Sequence, residues 1–213
     1  MRILLETQEF ALTDLLNTYT FNLLPSNIEI LKLKVSEYKT KFTNDNYRNK
    51  LGEIERKLSL SNNKLPDSIL NLNLISLDDH DLQIKDLLTS NTVVVIDVWA
   101  TWCYWCFFDM EEAKDFKEEL IDQGKVEWIY VSIDKQKDSL KWKNISETKK
   151  DLGLNKNQYL LDENDYSKFS KFFDTDAGIP KYLIFNKEGF LVLPNSPRPT
   201  DSAFFGKAIS QLN

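Results

Sequence analysis

The sequence predicts an α/β fold, a sheet with helical cover preceded by a helical N-terminal segment. Three observations predict it. Short apolar runs rich in β-branched residues alternate with helical stretches over the later part of the chain. The first sixty residues instead carry apolar residues at helical spacing. Between them lies a polar, proline-containing break.

Within the N-terminal segment, residues 5 to 20 suit a first helix. Ser26 followed by Glu29 reads as a capping box, and Ile28, Leu31, Val35, Tyr38 and Phe42 then recur at spacings of three and four, which predicts a helix over 27–42. Thr43-Asn44-Asp45-Asn46 suits a turn and an N-cap, and Tyr47, Leu51, Ile54 and Leu58 form a second stripe. The pair makes a helical hairpin whose stripes are read as packing surface rather than a ligand box.

Ser59 to Asp67 places the domain boundary, with a helical segment over 1–62 and a second domain over 63–213. Val93 to Trp99 is an unbroken apolar run around a single Asp97, as expected of a strand buried on both faces. Val126 to Ile133 and Tyr182 to Phe185 are two more strands. Helices are expected over 104–122, 137–149, 165–173 and 201–212. Asn186-Lys187-Glu188-Gly189 has the length and glycine of a hairpin loop.

The 213 residues suffice for one sizeable domain with an appendage. A hydrophobic share of 42% provides a core, and no apolar run approaches the roughly 20 residues that span a bilayer. Net charge is −6; residues 1–60 hold 9 basic and 8 acidic side chains, the remainder 18 and 25. That balance excludes the basic surface a nucleic-acid partner needs. The start, MRILLETQEFALTDLL, lacks the basic region, apolar core and cleavage site of a signal peptide, which leaves a longer precursor open.

Cys103 and Cys106 are the chain's two cysteines. A bridge at that spacing closes a loop too small to stabilise a fold much, so reactivity explains them better. They sit where a buried strand ends and a helix begins. There, unpaired N–H groups and the helix dipole stabilise a thiolate, which makes Cys103 the attacking residue. Cys106, about one turn further, lies deeper on the same side and is placed to resolve a mixed disulfide.

At this point the chain resembles the thioredoxin superfamily, and within it the TlpA-like, cytochrome c maturation type of envelope thiol-disulfide oxidoreductases. The resemblance covers about residues 63–213. It runs through LPDSILNLNLISLDDHDLQIKDLL, the strand and redox motif VVVIDVWATWCYWC, VEWIYVSIDKQKDSLKWK, GIPKYLIFNKEGFLV and the ending PNSPRPTDSAFFGKAISQL. It implies a thioredoxin-like fold, a central mixed sheet flanked by helices, with the TlpA-type αβ insertion. It also implies that Pro180, after Ile179, is a cis-proline beside the motif, where the preceding backbone pairs with an extended substrate. Asp97 aligns with the acid behind the resolving cysteine, whose desolvation fits it to accept the Cys106 proton. Asp109 matches an acidic position that could tune either thiol, or is a surface-facing acid favoured by the helix dipole. Trp102, Tyr104 and Trp105 are read either as an apolar collar touching substrate or as edge packing.

The departures are Tyr104-Trp105, where the family has small residues or proline, and Glu111, where it tends to have the proline that kinks the helix. The first puts the direction of electron flow in doubt, and the second predicts an unkinked helix.

The resemblance implies exchange of disulfides with partner proteins that carry disulfides or thiols, as a reductant recycled by an upstream redox partner. It implies no cofactor beyond the Cys103–Cys106 disulfide and no metal. The place implied is the periplasmic side of the cell envelope, with the cytoplasm as the alternative. Two other functions stay open: a Cu(I)-holding metallochaperone using both thiolates, and a client-binding module with vestigial chemistry. Structural zinc lacks ligands, since the one histidine, His80, falls in an acidic turn. A Cys/His hydrolase has no histidine near the motif.

Overall fold

The structure is a computed structural model that describes residues 2–21, 23–88 and 91–213. Helices α1 (Arg2–Phe21), α2 (Ile28–Lys41) and α3 (Asp45–Leu58) come first. Strand β1 (Asn63–Lys64), helix α4 (Asp67–Leu70) and the hairpin of β2 (Asn73–Ser76) and β3 (Asp81–Gln83) lead to the central strand β4 (Val93–Trp99). There follow α5 (Tyr104–Glu112), α6 (Lys114–Asp122), β5 (Val126–Ser132), α7 (Ser139–Thr148), β6 (Gln158–Leu161) and α8 (Tyr166–Phe173). Strands β7 (Lys181–Phe185) and β8 (Phe190–Leu193) and helix α9 (Ser202–Ser210) complete the chain.

The strands form one mixed sheet in the order β1-β8-β7-β4-β5-β6-β2-β3. β4, β5 and β6 are parallel, and every other pairing is antiparallel. All seven residues of β4 are buried, which is why its sequence reads as a continuous apolar run rather than an alternation. Helices cover the sheet, and the fold is the expected α/β arrangement with a central mixed sheet.

The N-terminal stripes are packing surface, as read from the sequence: Ile28, Leu31 and Val35 of α2 and Leu51, Ile54 and Leu58 of α3 are buried. Tyr38 and Phe42 stack with ring centroids 5.1 Å apart. Asn44 caps α3, its side chain accepting from the N–H groups of Asn46 and Tyr47. The hairpin is joined to the rest of the molecule. Lys57 pairs with Asp174, the Ser26 N–H donates to Gln211 Oε1 at 3.0 Å, and β1 pairs with β8.

The structure corrects three expectations. The Ser26–Glu29 capping box does not form, because Pro25 starts a 3-10 turn that takes in Ser26; Asn27 instead accepts from the Leu24 N–H at 2.9 Å. The single helix over 104–122 is two helices, α5 and α6, broken at Ala113, whose N–H is shared between the Asp109 and Glu111 carbonyls. The absence of proline at Glu111 therefore does not keep the helix straight, and the new direction carries the Lys117 side chain inward to the Tyr130 hydroxyl and the Leu152 carbonyl. β6 was not visible in the sequence, since Gln158-Tyr159-Leu160-Leu161 is too short for alternation to be counted.

Candidate functional site

Four pieces of backbone build the site: the end of β4, the first turn of α5, the loop after β5 and the turn before β7. Trp99 ends β4, and its carbonyl accepts from the Ile133 N–H at 2.9 Å, which ties the loop after β5 to it. Asp134 in that loop then holds Thr101, two residues past the strand end, accepting from its N–H and hydroxyl, each at 2.8 Å, while the Ser132 hydroxyl donates at 2.7 Å. These groups are buried, so the carboxylate acts as a clamp on the segment entering the cysteine motif. Asp134→Ala would strand a buried amide and two hydroxyls. It should lower stability by about 2–4 kcal/mol in denaturant unfolding, and a loss under about 0.5 kcal/mol would remove the clamp from the account.

Cys103 is the N-cap residue of α5, with its Sγ accepting from the Cys106 N–H at 3.1 Å. The two cysteines form a disulfide, with Cα atoms 5.3 Å apart. Cys103 is 5% exposed and Cys106 is completely buried, so an incoming sulfur can reach the first and not the second. Across from them the Ile179–Pro180 peptide is cis, and the Ile179 carbonyl oxygen lies 3.7 Å from Cys103 Sγ.

Asp97 lies in β4, paired with Tyr130 of β5 on one side and Tyr182 of β7 on the other. Its carboxyl is buried. One oxygen accepts from Trp128 Nε1 at 3.4 Å, and the other has no hydrogen-bond partner among the described residues. Burial pushes its pKa up to about 7, the Lys117 ammonium and the Trp128 bond pulling against that and Asp109 adding to it. Asp97, Asp109, Lys117, Tyr130 and Tyr182 border a narrow void with room for about one water. Burial draws the Lys117 ammonium down, though Asp97 opposes the shift, and burial raises the Tyr130 and Tyr182 hydroxyls well above their ordinary values.

Asp109 is not the surface-facing acid that one reading allowed. It is fully buried, because Arg198 from the segment after β8 and Tyr182 from β7 reach it. Arg198 Nε donates to Oδ2 at 2.6 Å, Nη2 bonds the other oxygen, and the Tyr182 hydroxyl donates at 3.0 Å. The guanidinium also stands over the Trp105 ring, 5.9 Å from its centroid.

Trp102, Tyr104 and Trp105 are 64%, 71% and 55% exposed, too open for edge packing alone to account for them. Tyr104, Trp105 and the partly exposed Phe108 meet edge to face, with centroids 5.3 and 5.5 Å apart. The motif thus sits inside an apolar surface.

Phe108, Lys117, Asp134 and Arg198 were absent from the sequence reading. Lys117 did leave a signal: Met110, Ala113, Lys117 and Leu120 keep helical spacing, a lysine at a core position. His80 is exposed in the turn before β3. Among the described residues, no group of three or more His, Cys, Asp or Glu side chains is placed to hold a metal ion, and no helix is long and apolar enough to cross a membrane.

The AhpC/TSA family model matches residues 62–193. Three solved structures are similar. The thioredoxin domain of a thiol-disulfide oxidoreductase from Bacteroides vulgatus is 20% identical over 67% of this chain and 93% of its own, with a TM-score of 0.52. A thioredoxin-like protein from Porphyromonas gingivalis is 22% identical over 71% and 93%, with a TM-score of 0.53. A thiol:disulfide interchange protein from a Bacteroides species is 19% identical over 70% and 90%, with a TM-score of 0.51. At these identities the likeness is one of fold. No curated protein matches the chain.

Proposed function

The chain belongs to the AhpC/TSA family and is a thioredoxin-like oxidoreductase, and from that premise we propose that it reduces disulfides of partner proteins through Cys103 and Cys106. The observation that carries this reading is the unequal setting of the two sulfurs. Cys103 is at the helix start, within reach and facing the Ile179 carbonyl, while Cys106 is sealed beneath it.

In the reduced protein the α5 N-terminus favours the Cys103 thiolate. The thiolate attacks one sulfur of a client disulfide, forming a Cys103–client bond as the client's other sulfur leaves as thiolate. Cys106 then gives its proton to Asp97 and attacks Cys103 Sγ, releasing the client's second thiol. Two electrons pass to the client, and the protein is left with the Cys103–Cys106 disulfide. A dithiol partner must reduce that disulfide again. Trp102, Tyr104 and Trp105 offer the client an apolar rim, and the Ile179 backbone an edge on which an extended segment can lie. The reaction as written needs no organic cofactor. The resemblance to envelope oxidoreductases supports a site of action on the periplasmic side of the cell envelope. We also propose the division into a helical segment over 1–62 and a thioredoxin-like domain over 63–213.

Equilibration in graded thiol/disulfide buffers, read by alkylation of free thiols, tests the reading. The pair should pass between dithiol and disulfide in one two-electron step, at a potential low enough to reduce clients in the envelope. A pair locked in one state across all buffers would refute the function.

A further inference from the structure

A cleft of about 390 Å³ opens beside the Ile179–Pro180 loop, lined also by Trp105, Lys57, Asp174, Lys181 and Arg198. Its wall joins parts of the chain that are far apart in sequence: Lys57 comes from α3 of the N-terminal hairpin, Lys181 begins β7 and Arg198 follows β8. Three cations thus face one carboxylate, Asp174. The Asp174 carboxylate is already engaged by Lys57, while Lys181 Nζ donates to the backbone carbonyl of the same residue at 3.3 Å. Arg198 is neutralised from behind by Asp109, so counting both acids still leaves one positive charge in excess. This excess stands on a chain of net charge −6.

From this geometry, and resting on the oxidoreductase reading, we propose that the cleft selects clients whose attacked cysteine is flanked by acidic side chains, with Lys57 of the N-terminal hairpin as part of the binding wall. The cleft adjoins the loop whose carbonyl lies 3.7 Å from Cys103 Sγ. A client segment bonded to Cys103 therefore has its neighbouring side chains within reach of the cations. Burial holds the Lys181 ammonium down at about 8, so a carboxylate beside it relieves a charge that is already poorly solvated. Salt limits the opposing field of the whole molecule to about 8 Å at physiological strength, while charges in contact are screened much less.

The test uses the reduced full-length Cys106→Ser protein and two peptides of equal length. Each carries a single cysteine activated as its 2-thiopyridyl disulfide, flanked by glutamates in one and by glutamines in the other. Cys103 attack forms the Cys103–peptide disulfide and releases pyridine-2-thione, whose absorbance gives the rate. The glutamate peptide should react about fivefold faster at low salt, and the ratio should fall toward one in roughly 0.5 M salt. Lys57→Gln with Lys181→Gln in the same background should abolish the preference. Asp174→Asn should enlarge it, asparagine being at ease at the left-handed φ of 62° found there. Should the double lysine variant not fold, Asp174→Asn and the salt series still decide. Equal rates, or a faster glutamine peptide as net charge alone predicts, overturn the cleft proposal and leave the oxidoreductase reading intact. Failure of both peptides and of a neutral small disulfide to react overturns both.

Discussion

Reduced Cys106→Ser protein, mixed with a disulfide-bearing client, should accumulate a covalent complex that a thiol reductant dissolves. Cys106 is the chain's other cysteine of two, so in this variant no thiol of the protein remains to attack the Cys103–client bond once it has formed. Cys103→Ser should show no turnover above the uncatalysed rate, because a serine hydroxyl is not ionised at neutral pH even at a helix N-terminus. Nor can the sealed Cys106 substitute for it. Turnover is read from client thiols released per protein, and the complex from a reducible band on a denaturing gel. Normal turnover by Cys103→Ser, or no trapped complex with Cys106→Ser, would dismiss the assigned order of attack.

Asp97→Asn should have the second largest effect, on rate and stability together. With its carboxyl held near 7, Asp97 becomes a base in the pH range where the resolving thiol must lose its proton. Release of the mixed disulfide should accelerate as pH rises through about 7 in the native protein. In Asp97→Asn it should slow by about a hundredfold at the top of that range, with the pH dependence flattened.

The stability effect has the opposite sense. Between the ordinary carboxylate value of 3.8 and about 7 the folded protein keeps a proton that the unfolded chain has released. The folded state is therefore favoured at the acidic end, and this contribution is lost as pH climbs across the window. At about 1.4 kcal/mol per pKa unit the full span amounts to roughly 4 kcal/mol. Asp97→Asn should thus be the more stable protein at pH 8 by up to that amount in denaturant unfolding of the disulfide form. Equal stability of the two at pH 8 would contradict the buried, protonated carboxyl.

What could be read from the sequence follows from how each feature is written in it. β4, β5 and β7 are almost wholly buried and so spell mainly apolar runs, and Asp97 stands out as the acid buried within them, Glu127 near the start of β5 being only half-buried. The cysteine pair is local, three residues apart, and its strand-to-helix setting is local too. The charged framework around it is not. Arg198 meets Asp109 across 89 positions, Lys57 meets Asp174 across 117, and Asp134 holds Thr101 across 33. No spacing rule joins such residues, so the sequence leaves Asp109 between a tuning position and a surface-facing acid, and it is the fold that places an arginine over it. The break at Ala113 was hidden for a related reason: it carries no proline or glycine.

The edges of the sheet bear on how such a protein meets other chains. One edge is β1, two exposed residues, Asn63 and Lys64; the other is β3, the three residues Asp81 to Gln83. Strands this short, and charged or polar at their tips, offer a stray polypeptide almost no ladder to extend. The proposed reduction of partly unfolded clients would expose such a protein to indiscriminate strand pairing and the aggregates that follow. With both rims blunted, the proposed mechanism leaves the Ile179 loop, whose carbonyl lies 3.7 Å from Cys103 Sγ, as the place for backbone pairing with a client. Lengthening β3 with apolar residues should therefore leave the cysteines untouched and yet make the protein co-precipitate with its own clients.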